Sequence, residues 1–332
     1  RASGAGGGMP PWGRTSRGLM GRPSARGARV GGSRRWLLAT VAAVAVLGAC
    51  ALPRFNAPPA CASPMDEGCP QEVSHADIDV VGMSVKPTCV NRAAITALNR
   101  YLGPRRIIVF TPTESRCVAF RAMAPNVVCR PESEFLPGLN KKSVSEHLAR
   151  EHSVDGSGEW VGRELGGWYL QQLLKLAVAR SQPGLSEHFV LWDMDMIALR
   201  PVQLFDDDEG VGAGAPGAPP RRVVRHIGGY NSPGYDEAYE HLTGMPLVQA
   251  HDGTSFVTHW MTIYRPYMEE MLTAWAGGDA NATGEHAWWG RILDNLGEDK
   301  NLGFSEYASY ASWVQQRHPE AARVARRQEW RR

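Results

Sequence analysis

Beyond the first quarter of the chain, short apolar runs alternate with amphipathic stretches. The runs 78–85, 106–110 and 188–192 have strand length and predict buried strands. Residues 90–102 and 165–180 repeat apolar side chains at a spacing of three to four, which predicts amphipathic helices. Strands that alternate with helices are typical of a parallel sheet covered by helices, with right-handed crossovers. The pattern therefore predicts an α/β fold.

An uncharged run of 17 residues, 36–52, ends at Pro53. Its length is at the short end of what a helix needs to cross a bilayer. Arg34 and Arg35 precede the run and Arg54 alone follows it. The positive-inside rule then keeps the N-terminus in the cytosol. We expect a single N-terminal transmembrane helix, a type II anchor that places the bulk of the chain in the lumen of the secretory pathway.

Two other interpretations of this run stay open. Residues 47–50 (LGAC) put small residues before a cysteine, like a bacterial lipoprotein cleavage site, and residues 33–38 (SRRWLL) are similar to a twin-arginine export signal. The run would then be a cleaved signal peptide. A buried helix of a soluble protein is the third interpretation.

Composition divides the rest of the chain. Residues 1–35 carry eight Arg and no acidic residue. Subtracting these eight positive charges from the net charge of +2 leaves a net charge of about −6 on the rest of the chain. A mildly acidic body offers no basic face, so we expect no nucleic-acid partner. The predicted order is a disordered basic tail (1–35), the anchor (36–52), a Pro-rich stem (53–76), a globular domain (77–315) with a flexible insertion (210–222), and a charged C-terminal tail (316–332).

Cysteine usage fits an oxidising compartment. Five cysteines follow the anchor, and none forms a CxxC pair that would indicate a structural zinc site: Cys61, Cys69, Cys89, Cys117 and Cys129. A disulfide between Cys117 and Cys129 could link the two strands of a hairpin, although the sequence leaves the disulfide connectivity open. Asn281 begins an N-glycosylation tripeptide, which is also typical of a lumenal surface loop.

Two acids follow the strongest predicted strand directly. Asp193 and Asp195 come after the apolar run that ends at Trp192. In an extended chain, positions i and i+2 point to the same side, and ligands of open α/β sheets bind beyond the carboxyl ends of the strands. Carboxylate oxygens suit Mn²⁺ or Mg²⁺, and such a cation relieves the repulsion between two adjacent acids. The alternative is a solvated strand end without a ligand.

Four sequence blocks carry a resemblance to a known family. They are the DMD of residues 193–195 followed by Leu199-Arg200-Pro201, and the segments 167–176, 255–261 and 303–310. In this order they resemble GT-A nucleotide-sugar transferases, and most closely a glycosyltransferase family still classed as a domain of unknown function. Glycogenin-like and mannosyltransferase-like enzymes are more distant relatives of that family. The resemblance spans about residues 78–315 and implies a GT-A fold with a Rossmann-like, mostly parallel sheet.

The resemblance also implies roles for single residues. His259 is the candidate third metal ligand beside Asp193 and Asp195, with His226, His251 and His286 as competitors. Candidate contacts to the nucleotide, or to the diphosphate or sugar of the donor, lie at the ends of two predicted strands and on one predicted helix: Ser84, Lys86, Gln171, Lys175, Trp192 and Asp193. A packed histidine, an ordinary strand exit and a lysine on a solvated helix face are the structural alternatives.

Glu306 and Asp252 are the candidate catalytic acids or bases, because an inverting transferase needs a carboxylate that deprotonates the acceptor. Either could instead be structural: Glu306 could hold the C-terminal segment through hydrogen bonds, and Asp252 could belong to a turn before Gly253. Trp288 and Trp289 could form a platform for an acceptor sugar, or pack in the core.

Together these features predict a metal-dependent transferase. A nucleoside-diphosphate sugar would be the donor, and a glycan, protein or lipid hydroxyl the acceptor, in the Golgi or another secretory-pathway membrane. Two rival hypotheses are a catalytically inactive GT-A-shaped protein that binds carbohydrate or acts as a scaffold, and a metal-dependent phosphodiesterase. The intact Asp193 and Asp195 argue against the first. The absence of further clustered metal ligands in the sequence argues against the second.

Overall fold

The computed structural model of the protein describes residues 74–152, 159–160, 163–206, 220–228, 231–250, 254–279 and 287–325. The predicted anchor, most of the stem, Asn281 and most of the insertion lie outside these residues. No helix in the described ranges is long and apolar enough to span a bilayer.

Nine strands and eight α-helices make up the described part of the chain. The strands are β1 (Asp79–Met83), β2 (Arg106–Thr111), β3 (Val127–Pro131), β4 (Glu159–Trp160), β5 (Arg163–Glu164), β6 (His188–Trp192), β7 (Val223–Arg225), β8 (Trp260–Tyr264) and β9 (Ala322–Val324). The helices are α1 (Cys89–Tyr101), α2 (Glu114–Arg121), α3 (Lys141–His152), α4 (Leu165–Ser181), α5 (Pro233–Thr243), α6 (Arg265–Trp275), α7 (Trp288–Asp294) and α8 (Glu306–Arg317).

The main sheet has five strands in the order β3-β2-β1-β6-β8. The first four are parallel, and β8 adds an antiparallel edge beside β6. The chain moves outward from β1 to β2 and β3, then returns through α4 to place β6 on the other side of β1. Between β1 and β6 the direction of winding therefore reverses, and in α/β sheets this is where a crevice opens at the carboxyl ends of the strands.

Apolar cores cover both faces of this sheet, which explains why its strands read as continuous hydrophobic runs. Val81 of β1 and Ile108 of β2 belong to the larger core, which α4, α6 and α8 complete. Val80, Ile107 and Trp192 face the opposite way, into the core that α1 and α2 cover. The predicted α/β class and mostly parallel sheet are confirmed.

Two details differ from the sequence-based expectations. The disulfide Cys117–Cys129 is present, but it joins α2 to β3 rather than the two strands of a hairpin. Cys89 is also disulfide-bonded. The globular domain continues past residue 315, because β9 pairs in parallel with β7 across the register Val223 to Ala322. Part of the predicted C-terminal tail is thus folded structure.

Candidate active site

A cleft of about 850 Å³ opens at the carboxyl ends of β1 and β6, where the winding of the sheet reverses. Seven of the residues singled out in the sequence line it: Ser84, Gln171, Lys175, Asp193, Asp195, His259 and Glu306. They come from the end of β1, from α4, from the segment after β6, from the segment before β8 and from the start of α8. Five chain segments thus bring polar side chains to the crevice that the topology predicts.

Asp193 is the centre of the polar cluster. Its Oδ1 accepts hydrogen bonds from Lys175 Nζ at 2.5 Å and from the Tyr307 hydroxyl at 3.1 Å. Its Oδ2 lies 3.0 Å from His259 Nδ1. Burial alone would raise the pKa of Asp193, but Lys175 and His259 outweigh it and lower that pKa to about 2. Asp193 is therefore an anion at neutral pH.

Lys175 is a buried cation held between two carboxylates. Its side chain is only 4% exposed, and Nζ donates to Glu306 Oε1 at 2.7 Å as well as to Asp193. It also lies over the Tyr307 ring, 4.5 Å from the centroid. Burial would lower the pKa of Lys175, but the charges of Asp193 and Glu306 outweigh it and hold that pKa well above its ordinary value. The alternative of a lysine on a solvated helix face is wrong.

His259 has a left-handed backbone, with φ at 64°, and is the one non-glycine residue of the described ranges with positive φ. Such a conformation costs about 1–3 kcal/mol and persists where surrounding contacts enforce it. The contacts are visible, because His259 accepts the Asp193 N–H at 2.9 Å through its carbonyl, while its ring reaches the carboxylate of the same residue. With this backbone conformation, the imidazole ring of His259 points toward the carboxylate of Asp193.

The segment after β6 is a turn, not extended chain. The Met196 N–H donates to the Asp193 carbonyl at 2.9 Å, so the premise that Asp193 and Asp195 share a side through strand geometry is wrong. Both residues nevertheless line the cleft, with Asp193 largely buried and Asp195 exposed. Asn91 in the first turn of α1 fixes the turn by donating to the Met194 carbonyl at 2.9 Å.

Four of the residues singled out in the sequence do not line the cleft. Trp192 is only 3% exposed; it stacks on Trp260, and its indole N–H donates to the Met196 carbonyl, because its place in β6 points it into the core. Lys86 is exposed and is not among the residues that line the cleft. Trp288 and Trp289 are buried in the main core, so they are packing residues rather than an acceptor platform.

Among the histidines that compete with His259, His226 is buried, packs against Trp260 and bonds the Gln203 carbonyl away from the cleft. His251, His286 and the candidate base Asp252 lie outside the described residues.

Three further polar residues belong to the site, although the sequence patterns did not select them. Tyr307 bonds both Asp193 and Lys175, and Asn91 holds the turn after β6. Gln172 is buried on α4, and its Oε1 accepts the Glu306 N–H at 3.3 Å. Of these three residues, only Asn91 could have been recognised from the sequence, because it follows Thr88 by three residues in a capping-box pattern at the start of α1.

The charges of the cleft do not cancel. Asp193, Asp195 and Glu306 supply three negative charges, and Lys175 supplies one positive charge. Without counting His259, the formal charges of these four side chains sum to minus two in a partly enclosed space. In the described residues, no group of three or more His, Cys, Asp or Glu is arranged to hold a metal ion. Asp193 and His259 are in contact within the cleft, and Asp195 also lines it.

No protein-family model and no curated protein matches this chain. Among solved structures, the chain is similar to the apo crystal structure of mouse xyloside xylosyltransferase 1. The TM-score is 0.40 and the sequence identity 14%, over 75% of this chain and 85% of that one. At this level of similarity, the function has to be inferred from the geometry of the cleft.

Proposed function

We propose that the protein is a GT-A-type glycosyltransferase, which uses Mn²⁺ or Mg²⁺ to transfer a sugar from a nucleoside-diphosphate sugar to a hydroxyl acceptor. The observation that carries the proposal is the buried cluster of Asp193, Lys175 and Glu306 with His259 beside it. It lies at the reversal point of a mostly parallel sheet, which is where such folds bind nucleotides and other ligands.

The donor atoms fit a divalent cation. Two ligands at adjacent corners of an octahedron with bonds of about 2.1 Å lie roughly 3.0 Å apart. Asp193 Oδ2 and His259 Nδ1 are separated by 3.0 Å in a hydrogen bond, and a bound cation would take the place of the proton that they share. Oxygen and imidazole ligands suit Mn²⁺, and such ions usually take their remaining ligands from substrate phosphates and water. Asp193 and His259 would hold the cation, with Asp195 at the mouth as a further carboxylate.

When bound, the cation would neutralise charge on the diphosphate leaving group. The residues of the chain have complementary tasks. Lys175 keeps Asp193 ionised and oriented, and Tyr307 fixes the same oxygen. Ser84 and Gln171 line the wall of the cleft, within reach of the donor. Glu306 presents a second carboxylate to the substrate, since only its Oε1 is engaged by Lys175.

A screen of donor hydrolysis tests the proposal, because transferases of this kind can slowly transfer the sugar to water. UDP- and GDP-sugars would be incubated with the protein in Mn²⁺, Mg²⁺ or EDTA, and release of the nucleoside diphosphate would be measured. We expect release from at least one donor that stops in EDTA. A thermal shift that needs both Mn²⁺ and the donor should accompany it. Stabilisation without turnover would favour the inactive carbohydrate-binding protein, and hydrolysis of a simple phosphodiester would favour the phosphodiesterase.

Asp195→Asn provides the matched variant. Asp195 is exposed in the structure, so its stability effect should stay within about 0.5 kcal/mol, whereas donor hydrolysis in Mn²⁺ should fall at least about 10-fold. Asp77→Asn is the control, because Asp77 is also exposed and is not among the residues that line the cleft. Equal activity of the two variants would remove Asp195 from the site.

The proposed location is the Golgi or another secretory-pathway lumen, with residues 36–52 as the membrane anchor. Nucleotide sugars are supplied to that lumen but not to a bacterial periplasm, and the disulfide Cys117–Cys129 agrees with an oxidising compartment. A fusion to a pH-sensitive fluorescent protein and protease protection of the C-terminus would test this orientation. Digestion of the C-terminal domain in intact microsomes would contradict it.

A further inference from the structure

Gln172 is a buried residue in the wall of the cleft, and only one of the two polar atoms of its side-chain amide has a hydrogen-bond partner in the described residues. It is 4% exposed, and its Oε1 accepts the backbone N–H of Glu306. Its Nε2 is buried and has no hydrogen-bond partner in the described part of the chain. Of the buried side-chain atoms without a partner there, it alone belongs to a residue that lines the cleft.

The orientation of this amide follows from chemistry. A backbone N–H can only donate, so the atom of Gln172 that faces the Glu306 N–H has to be the oxygen. Nε2 therefore remains as a donor on the other branch of the amide. An unsatisfied buried donor destabilises the protein, and a ligand that accepts this hydrogen bond would remove that destabilisation.

The neighbouring Glu306 supplies the complementary group. Its Oε1 is occupied by Lys175, and its Oε2 has no hydrogen bond to the residues that the structure describes. The two residues are in contact through the backbone N–H of Glu306, and both line the cleft. A free donor on one and a free acceptor on the other match a hydroxyl group, which accepts one hydrogen bond and donates another. A phosphate oxygen matches poorly, because it only accepts and its negative charge is repelled by Glu306.

We propose that Gln172 and Glu306 together bind one hydroxyl group of the transferred sugar. This rests on the proposed function, and it names the part of the donor that these two residues recognise. In the proposed function the diphosphate is held by the cation at Asp193 and His259, and Gln172 and Glu306 line the same cleft, where they would meet the sugar that is attached to the diphosphate. Glu306 then serves in sugar binding rather than as the base that activates the acceptor.

The test uses the sugar nucleotide that the hydrolysis screen identifies, together with its monodeoxy analogues. Binding in Mn²⁺ is measured by calorimetry for wild type and Gln172→Met. For wild type, one monodeoxy analogue should bind roughly 10-fold to 100-fold more weakly than the parent. Gln172→Met should bind that analogue and the parent within about twofold of each other, while its affinity for the nucleoside diphosphate alone stays within about twofold of wild type.

Two further variants separate binding from folding. Gln315→Met removes an amide on α8 that is not among the residues lining the cleft, and this variant should keep the wild-type preference for the parent sugar. Gln172→Glu has nearly the same shape and still accepts the Glu306 N–H, but it replaces the donor by an acceptor. A hydroxyl has one proton and cannot donate to two carboxylates, so this variant should lose part of the discrimination even if Gln172→Met fails to fold.

The outcomes distinguish this proposal from the proposed function. Full discrimination in both Gln172 variants, or an equal loss of affinity for the sugar nucleotide and the nucleoside diphosphate, overturns the hydroxyl site and leaves the transferase standing. The same conclusion follows if wild type binds every monodeoxy analogue as tightly as the parent. If no sugar nucleotide binds wild type, both proposals fail.

Discussion

Strand β1 has a buried charge cluster at each end, and the two clusters are built differently. At its start, Asp79 is fully buried, and its carboxylate accepts hydrogen bonds from Arg105 and Arg106 at 2.6–3.1 Å and from the Ser186 N–H at 3.0 Å. Both guanidinium groups also donate to the Gly184 carbonyl. Both carboxylate oxygens of Asp79 thus accept hydrogen bonds from other groups of the protein.

The cluster beyond the other end of β1 is open. Asp193 and Lys175 are paired, but Gln172 keeps a donor and Glu306 an oxygen for an occupant of the cleft. The net charges of the two clusters also differ in sign. At the start of β1, two arginines surround one acid, whereas at the cleft the acids outnumber the single lysine. A buried ion pair therefore indicates a ligand-binding site only when polar groups beside it lack hydrogen-bond partners and face a cavity.

Lys175→Met should have the largest effect, because it removes the cation between two buried carboxylates. We expect a loss of about 3–5 kcal/mol in the free energy of unfolding, together with loss of donor hydrolysis. Urea unfolding and the hydrolysis assay measure the two effects. Lys86→Met is the control, since Lys86 is exposed, and should stay within about 0.5 kcal/mol of wild type. A stability loss below about 1 kcal/mol for Lys175→Met would contradict the burial of the pair.

Asp79→Asn should separate stability from function. It leaves two partly exposed arginines without their acid, and we expect a loss of about 2–3 kcal/mol in unfolding free energy. Donor hydrolysis per folded molecule should be unchanged, because Asp79 lies at the opposite end of the strand from the cleft. Loss of activity in the folded variant would break the distinction between a structural and a functional cluster.

The stability difference between wild type and Asp79→Asn should depend on pH. Burial would raise the pKa of Asp79, but the hydrogen bonds from Arg105 and Arg106 outweigh it and lower that pKa below its ordinary value. A lowered pKa gives stability that is complete above the unfolded-state value of about 3.9 and is lost as the pH falls toward the folded-state value. Urea titrations between pH 7 and pH 3 should therefore show a constant difference that narrows below about pH 4. A difference that grows in acid would contradict the assigned sign.

Gly82→Ala should destabilise the protein less than the Lys175 and Asp79 variants do, and it acts on the open cluster through packing. A Cβ at this position of β1 would lie 2.4 Å from Met194 Sδ and 2.8 Å from the Trp192 carbonyl oxygen. The methionine can move, but the carbonyl belongs to the strand that leads into Asp193. We expect about 1 kcal/mol of destabilisation and roughly a 10-fold loss of donor hydrolysis. Wild-type hydrolysis would show that the turn after β6 absorbs the displacement.

The sequence by itself determined several of the elements and the position of Asp193 at the end of a buried strand. Apolar runs of strand length and the helical repeat of residues 165–180 predicted β1, β2, β6 and α4 within a few residues, because burial on one or both faces leaves a local periodic pattern. The same reasoning put Asp193 at the end of a buried strand, and hence at the crevice of the sheet. These conclusions needed no contact between distant residues.

Only the tertiary structure decided which side chains meet. Lys175 and Glu306 are separated by 131 residues, and Asp79 and Arg105 by 26, and no local pattern encodes either pair. The left-handed backbone of His259 and the inward direction of Trp192 likewise depend on the pairing of β6 with β8. Periodicity reports which face of an element is buried, whereas the partner of a buried charge is fixed by how the elements pack around it.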